Sequence, residues 1–230
     1  MPHPQRQIIV TKDGSHSISI PAMKVTYHSI HGAIGESKHV FIQAGLLDSE
    51  IFDFIGVHTV LEIGFGTGLN ALLTLIEADQ HKNRIYYTAL ELYPLDEKEV
   101  NQLNYCEQLQ QPAYQPRFER MHECGWEEMF EISEFFRLTK IKRDLLAYNT
   151  DDLFSIIYFD AFAPTAQREL WTREVFEKLY NMLTVDGLLV TYCSKGDVRR
   201  AMQAAGFTIE KLQGPPGKRE MLRGRKVIKS

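Results

Sequence analysis

The residues best suited to chemistry in this chain begin with Glu62-Ile-Gly64-Phe-Gly66-Thr-Gly68-Leu-Asn70, which follows the apolar run Val60 to Ile63. Glycines between a buried strand and a helix permit a tight turn and let a ligand approach backbone N–H groups at the helix N-terminus. A dinucleotide fingerprint would put its third glycine at position 69, where this chain has Leu69, and would not favour an acid two residues before the first glycine. Glu62 would repel a pyrophosphate and attract a cofactor that carries an ammonium group. Glu91 closes the next strand, 27 residues after Gly64, where an acid accepts hydrogen bonds from ribose hydroxyls. Asp160 ends the apolar run Ile156 to Phe159 and is followed by Ala161, Phe162, Ala163 and Pro164. A buried acid without a partner is costly, so a carboxylate delivered there calls for a cation or hydrogen-bond donors. A sulfonium and an amine nucleophile would both serve. Asp144 is a further acid past a strand, with Asp151 and Asp152 as nearby alternatives.

The elements that must position these groups alternate strand with helix. Strands are expected at Val60 to Ile63, over RIYYTALE ending in Glu91, over FRLTKIKRDLL before Asp144, at Ile156 to Phe159, over DGLLVTYCS and over FTIEKL, with a last one near Met221 to Val227. Helices are expected from about Leu69, over the polar stretch Leu95 to Gln111, near Trp126 to Phe136, from near Thr172, and over GDVRRAMQAAGF with Gly206 as its stop. Alternation of this kind predicts an α/β, doubly wound, mainly parallel sheet. Residues 8 to 45 read instead as short strands and turns: a DG turn at 13–14, alternation over His16 to Ile20 ended by Pro21, then a helix entered near Glu36 or Ser37. The expected division is an N-terminal β-hairpin extension over 1–55 packed on a core over 56–230.

Several blocks together resemble one family, the methyltransferase domain of the MnmC proteins. LEIGFGTGLN has the E-x-G-x-G-x-G pattern of motif I of class I S-adenosylmethionine-dependent methyltransferases. YHSIHGAIGESKHVFIQAGL, DAFAP, ELWTREVFEKL, GLLVTYCSKGDVRRAMQAAGF and GPPGKREML follow the family's order across about residues 25 to 225. The resemblance implies a Rossmann-like fold and S-adenosyl-L-methionine as cofactor. It also implies methylation of a 5-aminomethyl group on the wobble (2-thio)uridine of tRNA, giving the 5-methylaminomethyl form. Carried onto this sequence, Glu62, Gly64, Gly66, Gly68, Asn70, Glu91, Asp144 and Asp160 would line the cofactor site. Asp160 would orient the amine and help deprotonate it. The family's fused flavin-dependent oxidase domain is not expected here, because the sequence shows no second dinucleotide motif. The expectation is a stand-alone methyltransferase that acts after a separate enzyme has supplied the amine.

Charge and composition narrow the partners. The 230 residues carry 26 basic and 30 acidic side chains, a net charge of −4. From Lys195 onward, however, ten basic residues face three acids, so the tail is near +7 and the remainder near −11. A local positive field can attract a polyanion while the whole chain stays acidic. Lys218, Arg219, Arg223 and Arg225, then Arg199 and Arg200, are the candidates to hold phosphates of a tRNA anticodon arm. Trp171, Tyr27 and Phe162 are candidates to stack on an extruded base. Phe65 and Phe162 could cover the reacting groups, and the His28-Ser29 and Glu36-Ser37 pairs could reach cofactor or substrate. No run approaches a membrane span or a signal-peptide core, and three separated cysteines make neither a disulfide framework nor a zinc site, so a reducing cytoplasm is expected. The histidine spacings suit no metal. The competing classes are a methyltransferase or aminopropyl transferase acting on a small amine, and a non-catalytic cofactor- or RNA-binding protein.

Overall fold

The computed structural model describes residues 5–48 and 56–227. Five parallel strands carry the fold: β4 (Val57–Ile63), β5 (Arg84–Leu90), β7 (Phe136–Ile141), β8 (Phe154–Phe159) and β9 (Leu183–Thr191). Around them run antiparallel β6 (Met129–Glu131) at one edge and β11 (Glu220–Arg225) then β10 (Thr208–Gln213) at the other, in the order β10-β11-β9-β8-β4-β5-β7-β6. From β4 the chain builds outward through β5 and β7, then returns to lay β8 on the other side of β4. The crevice opens where that order reverses, at the carboxyl ends of β4 and β8. Register makes the placement close. Ile63 pairs with Leu90 on one side and Phe159 on the other, so Gly64, Glu91 and Asp160 all leave the sheet at one level.

Each central strand is buried on both faces, as parallel strands covered by helices must be. Val60, Ile156, Tyr158, Leu188 and Val190 point into one core, while Leu61, Ile157, Phe159 and Leu189 point into the other. The second face is covered by helices Arg173–Asn181 and Gly196–Ala204 through Val175, Phe176, Leu179, Val198 and Met202. The first is covered by helix Leu69–His81 and by a helical turn, Ala33–Ser37, that continues as a π-helical run, Lys38–Leu46. Gly45 lets that run press onto the sheet, since a Cβ there would meet Val190 Cγ2 at 3.1 Å. The expected boundary at 55/56 lies outside the described residues. On either side of it, Val40, Phe41 and Leu46 share a single core with Leu72 and Leu75.

The N-terminal strands β1 (Gln7–Val10), β2 (His16–Ile20) and β3 (Val25–Thr26) form a separate antiparallel sheet. The DG turn forms as expected, with Gly14 at φ +81° and the Asp13 carboxylate accepting from Ser15 N–H. Two expected helices did not form as read. The stretch Leu95 to Gln111 breaks into two single turns, Glu97–Val100 under an Asp96/Glu99 capping box and Tyr105–Gln108. Between them, Asn104 turns its side chain onto the N-terminal sheet, accepting from His16 N–H at 2.8 Å and donating to Gly14 O at 3.0 Å. The helix expected near Trp126 to Phe136 lies earlier, over Gln115–Glu123 with Pro116 in its first turn, and residues 129–141 form the β6–β7 hairpin instead. The apolar residues there serve a strand, with Phe136 and Leu138 both fully buried.

Asn104→Ala removes both bonds that this side chain makes to the N-terminal segment, and should lower the unfolding free energy by about 1–3 kcal/mol. A urea midpoint equal to wild type would show that the sheet is held by other contacts.

Candidate active site

The glycine turn after β4 is a left-handed loop that side chains would block. Gly64, Gly66 and Gly68 have φ of +94°, +52° and +73°. A Cβ on Gly64 would meet the Asp160 carbonyl at 3.1 Å, and one on Gly68 would meet His122 Nε2 at 2.8 Å. Gly66 lies beneath Tyr27, whose Cδ1 would stand 3.0 Å from such a Cβ. Gly66 N–H donates to Glu91 Oε2 at 2.9 Å, and the other Glu91 oxygen accepts from Tyr93 N–H. Glu91 therefore stands against the turn at the ribose position of such crevices.

Below the turn, one amide joins two carboxylates. Asn70 Nδ2 donates to Glu62 Oε1 at 2.9 Å and to Asp160 Oδ2 at 2.9 Å, while Asn70 Oδ1 is buried with no hydrogen-bond partner. Glu62 is fully buried. Burial drives its pKa well above the ordinary carboxylate value, and the Asp160 charge adds to this while the Asn70 bond opposes it. Burial likewise raises Asp160 well above its ordinary value; Glu36 adds to the shift, and the Asn70 bond and Lys218 oppose it. A fully buried acid and a half-buried one, bridged by a single neutral donor, form a site short of positive charge. A cationic cofactor with an amino-acid end fits that deficit, and the unpartnered Asn70 oxygen offers an acceptor beside it.

The N- and C-terminal parts of the chain complete the walls. Tyr27 meets Phe162 edge to face, with centroids 5.2 Å apart. Buried His28 contacts Thr67 Oγ1 through Nε2 at 2.7 Å; burial lowers its pKa to about 4, so the ring is neutral at pH 7. Glu36 accepts from Ser29 N–H and pairs with Lys218 Nζ at 2.5 Å, and that ammonium lies 3.8 Å from the centre of the Tyr192 ring. The Tyr192 hydroxyl in turn donates to Ala161 O at 2.8 Å.

Several expected residues lie elsewhere. Trp171 is buried, donates from Nε1 to Phe162 O, and packs edge-on to Phe159, so it anchors the loop and offers no free face to a base. Phe65 is packed against His122 in the core. Arg223 and Arg225 turn inward, Arg223 to Asp48 at 2.6 Å and Glu210 at 2.7 Å, Arg225 to Asp48 at 3.1 Å, so their charges are spent within the fold. Lys218 also points inward. Arg219 and Arg200 are exposed, and Arg199 is half-buried beside them. Asp144 stands past β7 with one oxygen accepting from Leu146 N–H. The reading by residue type missed His122, which faces Gly68, and Tyr192. It also missed Lys140, whose buried ammonium donates to His122 O at 2.6 Å and lies 4.8 Å from the Trp126 ring centre. None of the three has a local pattern that marks it. Among the described residues no cluster of His, Cys, Asp or Glu is arranged to hold a metal ion, and no helix is long and apolar enough to cross a membrane.

Comparison with known proteins accords with this geometry. Residues 132–227 match a family described as S-adenosyl-L-methionine-dependent methyltransferase. The sheet topology and the glycine-turn crevice are in keeping with that description. The tRNA 5-methylaminomethyl-2-thiouridine biosynthesis bifunctional protein MnmC of Aeromonas hydrophila is 30% identical over 224 residues, covering 88% of this chain and 33% of the relative. Its counterpart of the same name in Azoarcus sp. is 30% identical over 212 residues, covering 86% of this chain and 32% of the relative. The crystal structure of MNMC2 from Aquifex aeolicus superposes with a TM-score of 0.75 at 22% identity, over 97% of this chain and 71% of that one. The similarity covers most of this chain, which spans about a third of the length of the curated relatives it matches.

The buried acids make a stability prediction whose sign is fixed. A carboxyl whose folded pKa is raised stabilises the fold in its protonated form, and that contribution is lost as pH rises above its unfolded value, 3.8 for Asp160. Asp160→Asn should therefore raise the melting temperature of the ligand-free protein at neutral pH by about 2–5 °C, with the gain growing from about pH 4 upward. Melting curves of the two proteins that stay parallel across pH would contradict a destabilising Asp160 charge.

Proposed function

We propose that the chain methylates the primary amine of 5-aminomethyl-(2-thio)uridine at the tRNA wobble position, giving the 5-methylaminomethyl form. The observation that carries this reading is the pair of carboxylates, buried Glu62 and half-buried Asp160, bridged by Asn70 at the glycine turn. Bound S-adenosyl-L-methionine supplies an electrophilic methyl group on a sulfonium. Glu62 and Asn70 would hold its amino-acid end beside the glycine turn, Glu91 would accept from its ribose, and Asp144 would accept from its adenine amino group. Asp160, at the end of β8, orients the amine and takes a proton from it. An ammonium has no lone pair, so a carboxyl whose pKa is raised by burial suits that acceptance better than an exposed one. Phe162 and Tyr27 exclude water from one side, and positioning carries much of the rate.

For the RNA, Arg199, Arg200 and Arg219 supply outward charge for phosphates of the anticodon arm. Arg223 and Arg225 brace the surface that carries them. The Tyr27–Phe162 pair is the aromatic surface available to a base extruded from the loop. The chain works in the cytoplasm, on tRNA in which a separate activity has already made the aminomethyl group.

The test is transfer of labelled methyl to aminomethyluridine tRNA, with free polyamines as the competing acceptor and nucleoside analysis of the product. The expected product is labelled 5-methylaminomethyluridine, and Asp160→Ala should lower turnover at least about 100-fold. Label in polyamine alone, or an unimpaired Asp160→Ala enzyme, would overturn the proposal.

A further inference from the structure

One arrangement at the crevice is not needed to hold either the fold or the cofactor. The Lys218 ammonium lies 2.5 Å from Glu36 Oε1 and 3.8 Å from the centre of the Tyr192 ring. Asp160 is close enough that both Glu36 and Lys218 act on its charge. Glu36 itself is only 6% exposed, and it comes from the short helical turn 33–37, whereas Lys218 comes from the loop before β11. Here a nearly buried carboxylate and an aromatic face hold one primary ammonium, the kind of groups that recognise an alkylammonium, with Asp160 near enough to feel its charge. The ammonium arrives on a flexible four-carbon stem from the loop Gly214-Pro-Pro-Gly217, where Gly217 has φ +87° and Pro216 and Gly217 are exposed. The Lys218 side chain keeps 33% exposure, so it has an open route outward.

We propose that Glu36, Tyr192 and Asp160 form the binding site for the acceptor's primary amine, and that Lys218 occupies this site in the ligand-free protein as an internal stand-in for it. The inference rests on the amine-methylating reading above and adds a selection step to it. The substrate's aminomethyl group and the lysine end are alike, each a primary amine on a methylene carbon, so one displaces the other by exchange of like cations. A lone small amine must compete with a tethered lysine at high local concentration. An acceptor carried on RNA brings phosphates that draw the released lysine outward. Lys218 is thus a specificity-determining residue that disfavours free amines.

The experiment measures binding of methylammonium through the Tyr192 ring signals in NMR, which needs no turnover, and in parallel measures methyl transfer to aminomethyluridine tRNA and to the free nucleoside. Emptying the site with Lys218→Met should tighten methylammonium binding by about tenfold or more, because the apparent affinity no longer carries the cost of displacement. The kcat/KM for the free nucleoside should rise, while KM for the tRNA should not fall in proportion. Adding Glu36→Gln to Lys218→Met should abolish the gain, and Lys218→Arg should stay near wild type in methylammonium binding. If Met at 218 prevents folding, Lys218→Gln gives the same comparison. Methylammonium binding no tighter in the emptied variant than in wild type would overturn the proposal. Tighter binding without any transfer to tRNA would support the ammonium site and overturn the tRNA reading instead.

Discussion

The structure turns on the placement of negative charge where the sheet order reverses. Glu62 and Asp160 sit on neighbouring parallel strands, one buried in β4 and one just past β8, and share a single amide donor from Asn70. A fold does not gain stability from such an arrangement, because two carboxylates removed from water cost more than one amide returns. Such an arrangement favours the approach of a cation. The glycine turn above it, with Tyr27 packed against Gly66, and the recruitment of Asn70 from the first turn of the helix shape that place.

Charge balance around this place is assembled from distant parts of the chain. Glu36 and Lys218 are 182 positions apart, and Arg223 meets Asp48 across 175. The basic excess after Lys195 is therefore two populations of unlike purpose. Arg223 and Arg225 neutralise Asp48 and Glu210 within the fold, while Arg200 and Arg219 are exposed and Arg199 is half-buried. Only the second group contributes to a field that an RNA would feel. The N-terminal segment, too, is more than an appendage: its π-helical run covers one face of the sheet, and its loop 27–36 forms a wall of the crevice.

The strands and the last two helices were legible because their signals are local and strong. Apolar runs such as Phe154 to Phe159 admit few structures other than a doubly buried strand, and Thr172 and Gly206 mark helix ends by side-chain and backbone chemistry of their own. The segments misread, 95–111 and 126–136, have patterns that suit more than one period. In the first, Asn104 is drawn to the N-terminal sheet, which breaks the helix into turns. In the second, pairing with β7 turns a helical-looking sequence into a hairpin. Both outcomes depend on partners far along the chain, and tertiary pairing overrides local preference.

By itself the sequence determined the parallel α/β sheet, the glycine turn with its acid, and the acids Glu91 and Asp160 at strand ends, because each is written in a short stretch of residue types. Tertiary structure alone decided which charges face one another. Asn70 joins Glu62 to Asp160, Lys218 turns inward to Glu36 and Tyr192, and Trp171 gives its N–H to a backbone carbonyl and so leaves the set of stacking residues. The physical reason is range. Strand and turn preferences act over a few residues, whereas the worth of a charge depends on burial and on neighbours that only the folded chain brings within a few ångströms.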